Sequence, residues 1–477
     1  MASSPPITQP VLCSAHDRDD GLVTGGPGTP PASSTEPDPT ARARIHRSTR
    51  LRAAVITGGA AKGLAVAVQL VSIGIAARSL GSEAFGSYLV LASLVAWLGL
   101  AAVGVGPGLT QRIALATAKG DSAGQAMAFS SSVTLTGLFV VVVAAVVLFV
   151  AWVATSGEAS RSAIGSDVRM GAMLLVLATA VQVWLSIIEA AQLGHQEQHL
   201  TNVSYAIGLA AVLLILIAAG PVLTTVTAFV AATAFPPLVA KAANAAGYVA
   251  RRRYLLTRRV SMREAIGVVS TSAAFATVSL GSLASQQLGF LWLAFVAGPA
   301  AAVPLGVMLR LNMAAHGLVA VVTQPLWPAL ADAMARRDSA WARRAYVRAS
   351  WLTVTYAAAY AVGLVIMGSV LVQVWTGTSV QVPPLMMFLF GLYFVVGVWA
   401  HVNAITLVGL GKVWVAAGVL CVEAAVSSVG AVVLTAQFGA TGVIVSLLIA
   451  TALVSATLLP FVVRRSWPVA TPMVEVR

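Results

Sequence analysis

The sequence predicts an all-α protein that crosses a membrane twelve times. Three observations lead to this fold class. Hydrophobic residues make up 58% of the 477-residue chain, and Asp, Glu, Lys and Arg together make up only 9%. A water-facing globule carries about 25% charged residues, so this chain has too little polar surface to be solvated by water alone. The apolar residues also fall into runs of about 20, the length that crosses a hydrocarbon core of ~30 Å.

Twelve apolar runs are long enough to form spanning helices. They fall near residues 53–77, 85–106, 129–153, 169–190, 200–219, 222–248, 266–297, 300–330, 350–372, 385–408, 412–434 and 439–463. We therefore predict an N-terminal six-helix bundle over residues 53–250 and a C-terminal six-helix bundle over residues 266–463. A basic cytoplasmic linker over residues 251–265 joins them, an arrangement that suits a rocking transporter.

The positions of the basic residues assign the sides of the membrane. Cytoplasmic segments of membrane proteins are enriched in Lys and Arg. With the N-terminus inside, most of the 29 basic residues lie in cytoplasmic segments, and the outer loops hold only Arg78, Arg161 and Arg169. A miscounted helix would scramble this alternation, so the pattern supports twelve helices with both termini in the cytoplasm. Membrane topology thus explains the net charge of +13, and we predict no nucleic-acid partner.

Both ends of the chain are predicted to lie outside the bundles. Residues 1–52 are rich in Pro, Ser, Thr and Gly and carry few apolar side chains. Such a segment cannot bury enough surface to offset its ordering entropy, so we predict a disordered cytoplasmic tail. Residues 464–477 are predicted to form a second cytoplasmic tail.

Three charged residues lie deep inside predicted helices. Lys62 and Arg310 are each about ten residues into helices 1 and 8, and Glu423 is about eleven residues into helix 11, which corresponds to a depth of ~15 Å. A charge at the bilayer centre costs about 2.5–3.5 kcal/mol on insertion scales, so its presence indicates a function. We predict that Lys62 and Arg310 line an anion-binding cavity. Glu423 either couples transport to a cation or forms a structural ion pair with Arg310.

Other polar residues complete this predicted site. Gln69 follows Lys62 by seven residues and so shares its helix face, and Asn312 adds a polar group in helix 8. His401 in helix 10 is a candidate proton carrier, with a hydrogen-bonded structural role as the alternative. Arg112, at the cytoplasmic end of helix 2, is expected to belong to a cytoplasmic gate.

Several classes of function are disfavoured by what the sequence lacks. It contains no Walker A motif, no Gly-rich nucleotide turn and no cluster of metal-ligand residues, so we predict no ATP hydrolysis, no metal and no cofactor. Two cysteines cannot provide a disulfide framework or a cysteine-based zinc site. The predicted outer loops are too short for the catalytic groups of a membrane glycan polymerase. The sequence therefore favours a transporter over an enzyme.

Short segments resemble one transporter family. Residues 77–88, Ala-Arg-Ser-Leu-Gly-Ser-Glu-Ala-Phe-Gly-Ser-Tyr, resemble the junction between the first two helices of bacterial polysaccharide flippases. These flippases form the oligosaccharide-flippase branch of the multidrug/oligosaccharidyl-lipid/polysaccharide exporter superfamily. Residues 104–112, 325–330 and 439–442 are also similar to the family pattern, whereas residues 298–302 lack its usual aromatic residue.

The resemblance implies a V-shaped pair of bundles that works by alternating access around a cationic cavity in a bacterial cytoplasmic membrane. The implied cargo is an oligosaccharide linked to an isoprenoid diphosphate, moved to the outer leaflet for cell-surface polysaccharide synthesis. Lys62 and Arg310 correspond to the family's cavity cations by helix and depth. Lys and Arg would neutralise a diphosphate that could not otherwise cross hydrocarbon.

The implied partners are the lipid-linked glycan, the surrounding membrane lipids and a coupling ion, with a proton and sodium as candidates. Two alternatives stay open at this point. One is a cation-coupled multidrug or small-molecule exporter of the same superfamily, although helices 1 to 6 hold no carboxylate at mid-depth. The other, from a different class, is a membrane glycan polymerase.

Overall fold

A computed structural model describes residues 39–154, 163–257, 259–377 and 380–467. Within these ranges the chain forms helices joined by short turns, and no strand is present. The helices are α1 (Pro39–Ser79), α2 (Gly81–Ala96), α3 (Leu100–Ala118), α4 (Ser122–Ala154), α5 (Ala163–Gly194), α6 (Gln198–Ala219), α7 (Val226–Arg251), α8 (Met262–Ala297), α9 (Val303–Ala335), α10 (Ser339–Thr376), α11 (Pro384–Gly409), α12 (Val413–Ala450) and α13 (Ala456–Ser466).

The helices account for twelve membrane crossings within the described ranges. Ten helical stretches there are long and apolar enough to cross a membrane. The last of them, Val413–Ser466, has 54 residues and turns at Gly439 (φ 55°, ψ −132°), so it supplies two crossings. A turn at residues 97–99 divides helix 2 of the sequence prediction into α2, which has 16 residues, and α3, which has 19 residues and includes Gln111 and Arg112; we count the two together as one crossing. The protein is therefore a multi-pass membrane protein, and the predicted fold class is confirmed.

The helix ends differ from the predicted boundaries. Helix α1 begins at Pro39, so residues 39–52 are helical and not part of a disordered tail. Similarly, α3 continues to Ala118 and α4 begins at Ser122. Counting apolar residues finds only the part of a helix that lies in lipid, whereas backbone hydrogen bonds extend the helix into polar sequence. Residues 1–38 of the predicted N-terminal tail and residues 468–477 of the C-terminal one lie outside the described residues.

The helices pack as two bundles, α1–α7 and α8–α13. In the N-terminal bundle α7 packs against α5 and α6, and in the C-terminal bundle α8 packs along α12 and α11 along α10. The two bundles meet through α2 and α3 on one side and α8 and α9 on the other. The largest buried apolar cluster crosses this boundary, since it joins Phe85 and Phe229 of the first bundle to Phe290 and Phe390 of the second. This boundary positions the candidate site.

Candidate transport site

The bundles touch at the end of the molecule that is predicted to be cytoplasmic. Nη1 of Arg112 on α3 lies 3.4 Å from Oε2 of Glu264 on α8. One turn away, the backbone N–H of Gly108 donates to the Ser272 hydroxyl at 2.8 Å. A Cβ at Gly108 would lie 2.1 Å from the carbonyl oxygen of Val268, so only glycine allows this approach. We call this group of residues the inner contact, and it includes the predicted gate residue Arg112.

The bundles also touch at the opposite end, which we call the outer contact. The indole Nε1 of Trp375, at the end of α10, donates to the backbone oxygen of Leu70 on α1 at 2.6 Å. A Cβ at Gly74 would lie 2.8 Å from the backbone oxygen of Trp375, and one at Gly86 would lie 2.5 Å from that of Pro299. The inner contact combines an ion pair with backbone packing at Gly108, and the outer contact combines the Trp375 hydrogen bond with backbone packing at Gly74 and Gly86. In this conformation the bundles approach each other closely at both ends.

Arg310 lies between the two contacts, at the boundary of the bundles. It lines a small cavity together with Leu89 and Ser93 of α2 and Gln287 of α8. Among the described residues, no carboxylate oxygen lies within 4.0 Å of a nitrogen of its guanidinium. The predicted ion pair with Glu423 is therefore wrong. A cation without an acidic partner at a bundle boundary is suited to an anionic ligand.

Gln69 connects the predicted cations across the boundary. Its Nε2 donates to the backbone oxygen of Arg310 at 3.5 Å, which places α1 beside α9. Lys62 is two turns earlier on α1 and so lies about 10 Å from this contact along the helix axis. It is partly exposed and makes no ion pair with a described residue. The structure thus places Gln69 beside Arg310, and the anion-binding role of Lys62, Gln69 and Arg310 stays a prediction.

Glu423 has hydroxyl partners in place of a cation. Its side chain is buried, and Oε1 accepts hydrogen bonds from the hydroxyls of Ser285 at 3.2 Å and Thr451 at 2.8 Å. The Ser455 hydroxyl donates to Oε2. Thr451 and Ser455 begin and end a π-helical turn, and such turns are frequent at functional sites. The sequence did not indicate these three residues, because a hydroxyl in an apolar helix can equally bond its own backbone.

Glu423 faces a cavity of about 430 Å³ inside the C-terminal bundle. The lining is mostly apolar, with Gln286, Asn312, His316 and His401 as further polar residues. Neither Lys62 nor Arg310 lines this cavity. The single cavity that the sequence suggested is therefore divided into a cationic region between the bundles and an acidic cavity within the second bundle.

Two predicted residues on the cavity wall have structural hydrogen bonds. Asn312 Oδ1 accepts from the Tyr360 hydroxyl at 2.8 Å, and its Nδ2 donates to a backbone oxygen at 3.5 Å. Nε2 of His401 lies 3.1 Å from Oγ1 of Thr323, and the His401 ring meets the His316 ring edge to face with centroids 4.5 Å apart. Asn312 and His401 thus help to fix the packing of the cavity wall.

Three carboxylates of the N-terminal bundle form ion pairs or hydrogen bonds with other residues of the same bundle. Glu189 pairs with Lys241 at 3.1 Å, and Glu197 pairs with Arg252 at 2.6 Å. Asp167 accepts hydrogen bonds from two backbone N–H groups in the first turn of α7. These three acids therefore have cations or backbone N–H groups as partners, whereas the partners of Glu423 are hydroxyls.

Solved transporter structures share this fold. An inward-facing multidrug resistance MATE family transporter of the MOP superfamily matches with a TM-score of 0.63 and 13% identity, over 88% of this chain and 98% of that one. An outward-facing one matches with a TM-score of 0.61 and 13% identity, over 86% and 94%. A MOP superfamily transporter from Pyrococcus furiosus, described as having a binding pocket of reverse polarity, also matches with a TM-score of 0.61 and 13% identity, over 86% and 95%.

These matches concern the fold. No protein-family model matches the sequence, and no curated protein matches it significantly. The chain thus has the MATE-like fold of the MOP superfamily, the superfamily in which the sequence resemblance placed it. The particular flippase branch remains a hypothesis, and the residues of this chain must supply the argument about cargo.

Proposed function

We propose that the protein is a cation-coupled membrane exporter that works by alternating access of its two bundles. Solved structures of this fold include inward-facing and outward-facing states, which supports motion of the bundles about their boundary. The observation that carries the proposal is Glu423, a buried carboxylate that accepts hydrogen bonds from three hydroxyls and faces a cavity. A carboxylate with three hydroxyl oxygens is a ligand set for a hard cation such as sodium, and its carboxylate can also take up a proton.

The coupling route runs along α8. This helix carries Ser285 at the Glu423 site and Glu264 and Ser272 at the inner contact. A cation bound at Glu423 draws the hydroxyl oxygens of Ser285 and Thr451 toward itself, so α8 moves against the π-helical turn. Because α8 is one continuous helix, this movement changes the inner contact. Cation binding in the second bundle thereby biases the bundles toward one side of the membrane.

A second candidate function concerns the cargo. Arg310, which has no acidic partner among the described residues, and Lys62 on the neighbouring helix favour an anionic cargo. This observation supports the flipping of isoprenoid-diphosphate-linked oligosaccharides in a bacterial cytoplasmic membrane, which the resemblance implies. The fold matches favour a small-molecule exporter. The two candidates share the coupling mechanism and differ in the charge and size of the cargo.

The coupling proposal is tested by cation binding to the purified protein. A cation that binds only the folded state raises the thermal unfolding midpoint. We expect sodium chloride to raise the midpoint of the wild type above that in choline chloride, and Glu423→Gln to abolish the difference. Ser455→Ala should weaken the apparent cation affinity by about tenfold, the effect of one hydrogen bond to a charged group.

Two variants are matched controls. Glu83→Gln removes an exposed carboxylate at the start of α2, and Ser446→Ala removes a buried hydroxyl of α12 that donates to the backbone oxygen of Ser427. Both should keep the sodium effect. If neither sodium nor pH changes the wild-type midpoint in a way that depends on Glu423, the coupling proposal is wrong.

For the cargo, farnesyl diphosphate and ethidium serve as anionic and cationic probes in the same assay, with Arg310→Ala as the test variant.

A further inference from the structure

The first turns of α10 extend beyond the length that a membrane requires. The helix has 38 residues and so a length of about 57 Å, against a hydrocarbon core of ~30 Å. Trp351 is 71% exposed, and exposed tryptophans concentrate at the membrane interface. The helix from Trp351 to Thr376 is already long enough to cross. Residues 339–350 therefore project from the membrane on the predicted cytoplasmic side.

This projecting segment carries a stripe of two arginines flanked by two tryptophans. Trp341, Arg344, Arg348 and Trp351 are spaced by three, four and three residues, so they share one helix face, and all four are exposed. Ala342 and Ala349, by contrast, are buried against the end of α9. The stripe therefore faces away from the protein. Tryptophan rings insert at the lipid headgroup level, and the arginine guanidinium matches the geometry of a phosphate.

Other helix ends add positive charge at the same end of the molecule. The ring of Tyr346, on the face of α10 opposite the stripe, lies 6.0 Å from the ring of Trp467, so the end of α13 with Arg464 and Arg465 packs behind the stripe. The two nearby acids are already engaged, since Asp332 pairs with Arg336 at 2.9 Å and Asp338 accepts from the backbone N–H of Trp341 at 2.9 Å. No ion pair neutralises the other arginines of this group among the described residues, namely Arg337, Arg343, Arg344, Arg348, Arg464 and Arg465.

We propose that the exposed surface formed by the Trp341–Trp351 stripe binds anionic phospholipids of the adjoining leaflet, while the arginines at the ends of α9 and α13 add to the positive charge of this end of the molecule. Charge complementarity and position support this occupant: Arg348 lies only one turn from the interfacial Trp351, at the depth of headgroup phosphates. A soluble polyanion would be held by the arginines alone, whereas this stripe ends at an exposed tryptophan at the membrane interface. The surface lies on the C-terminal bundle, outside both the Arg310 region and the Glu423 cavity.

The test measures lipid enrichment around the full-length protein. The protein is purified from vesicles of phosphatidylglycerol and phosphatidylcholine, and the co-purified lipids are quantified by mass spectrometry. We expect the triple variant Arg343→Gln, Arg344→Gln, Arg348→Gln to lower the phosphatidylglycerol enrichment by at least about fivefold. Loss of a single juxtamembrane arginine would already lower it by about this factor. Trp341→Ala with Trp351→Ala, which keeps every charge, should also lower the enrichment.

The matched control removes the same charge elsewhere on the predicted cytoplasmic side, through Arg251→Gln, Arg253→Gln and Arg259→Gln. It should keep the wild-type enrichment. Unchanged enrichment in the α10 triple variant would overturn the proposal. Equal loss in the control would also overturn it, because the effect would then follow net charge and not this surface. A monodisperse elution profile and a wild-type unfolding midpoint confirm that each variant is folded.

Discussion

Two buried charges in the second half of the chain are accommodated in different ways. Glu423 accepts hydrogen bonds from three hydroxyl groups. The guanidinium of Arg310 has no carboxylate partner among the described residues, and Gln69 donates to the backbone oxygen of Arg310. We therefore propose that the first residue binds a cation and the second an anion.

Replacement of Arg310 should separate transport from stability. We expect Arg310→Ala to lower transport in reconstituted vesicles by at least about tenfold, because one charge-assisted hydrogen bond to the cargo is lost. Arg310→Lys should retain partial activity, since it keeps the charge but not the bidentate geometry. The unfolding midpoint of Arg310→Ala should stay the same or rise, because a desolvated charge is removed. Normal transport by Arg310→Ala at wild-type abundance would contradict the assignment.

His195 gives the N-terminal bundle a pH-dependent stability. It lies in the turn between α5 and α6, with Nε2 3.1 Å from Gln125 Oε1 and Nδ1 2.9 Å from the Tyr248 hydroxyl. Burial, and then the positive charge of Arg252, lower the pKa of His195 below its ordinary value of 6.5. As the pH falls below about 6.5, His195 takes up a proton in the unfolded chain but stays neutral in the folded chain. The free energy of unfolding therefore falls as the pH drops below about 6.5.

His195→Gln should remove this part of the pH dependence. The measurement is the thermal unfolding midpoint of the wild type and the variant between about pH 5 and 8. We expect the two curves to converge toward low pH, because only the wild type loses stability through this group. Parallel curves over the whole range would show that His195 does not contribute.

At the scale of whole helices, the contact between α3 and α8 determines whether the predicted cytoplasmic end is closed. The Arg112–Glu264 ion pair is partly exposed, with side-chain exposures of 43% and 32%. Such pairs are worth about 0.2–1 kcal/mol, so each single alanine variant should shift the closed-to-open ratio by about fivefold at most. The pair therefore adjusts the closure, while backbone packing around Gly108 provides most of it.

Charge reversal tests whether these two residues act as a pair. Arg112→Glu and Glu264→Arg should each impair transport, because each places two like charges opposite each other. The double variant, with both reversals, should recover most of the activity. Measurement of transport rates for the two single variants and the double variant gives the coupling directly. Failure of the double variant to improve on either single variant would show that Arg112 acts independently of Glu264.

At the scale of the whole molecule, the two contacts together define a conformation in which the bundles meet at both ends. The close approach of α3 and α8 depends on a missing side chain at Gly108. Gly104 lies one turn earlier on the same helix and has open space around it. This difference allows one substitution to disturb the inner contact and a second one to serve as its control.

Gly108→Ala should separate the bundles at the inner contact. The added Cβ overlaps the carbonyl of Val268, and overpacking of this kind costs about 1–3 kcal/mol, which favours the separated state by roughly 5- to 150-fold. The separation of α3 from α8 is measured by double electron–electron resonance between spin labels at positions 119 and 263. Serine replaces the two native cysteines in the labelled protein. We expect a longer distance in Gly108→Ala and the wild-type distance in Gly104→Ala. Identical distance distributions in both variants would contradict this account of the closure.

The sequence by itself determined the properties that depend on neighbours along the chain. Helix length and apolar content follow from the bilayer thickness, and the distribution of arginines follows from the membrane sides, so the all-helical fold and its twelve crossings could be predicted. The depth of Lys62, Arg310 and Glu423 was also readable, because depth is a count of residues from a helix end. The resemblance also pointed to a superfamily whose solved structures share this fold.

Only the tertiary structure decided which of these residues meet. The partners of Glu423 are 138, 28 and 32 residues away in the chain, and contact with them depends on how three helix segments are rotated about their axes. Serine and threonine give no such signal in an apolar sequence, so the two roles predicted for Glu423, a coupling role or an ion pair with Arg310, took no account of these hydroxyls. The structure instead assigns the anionic and cationic groups to different regions. In a helical membrane protein the order of residues determines how deep a side chain lies, whereas helix packing determines which way that side chain points.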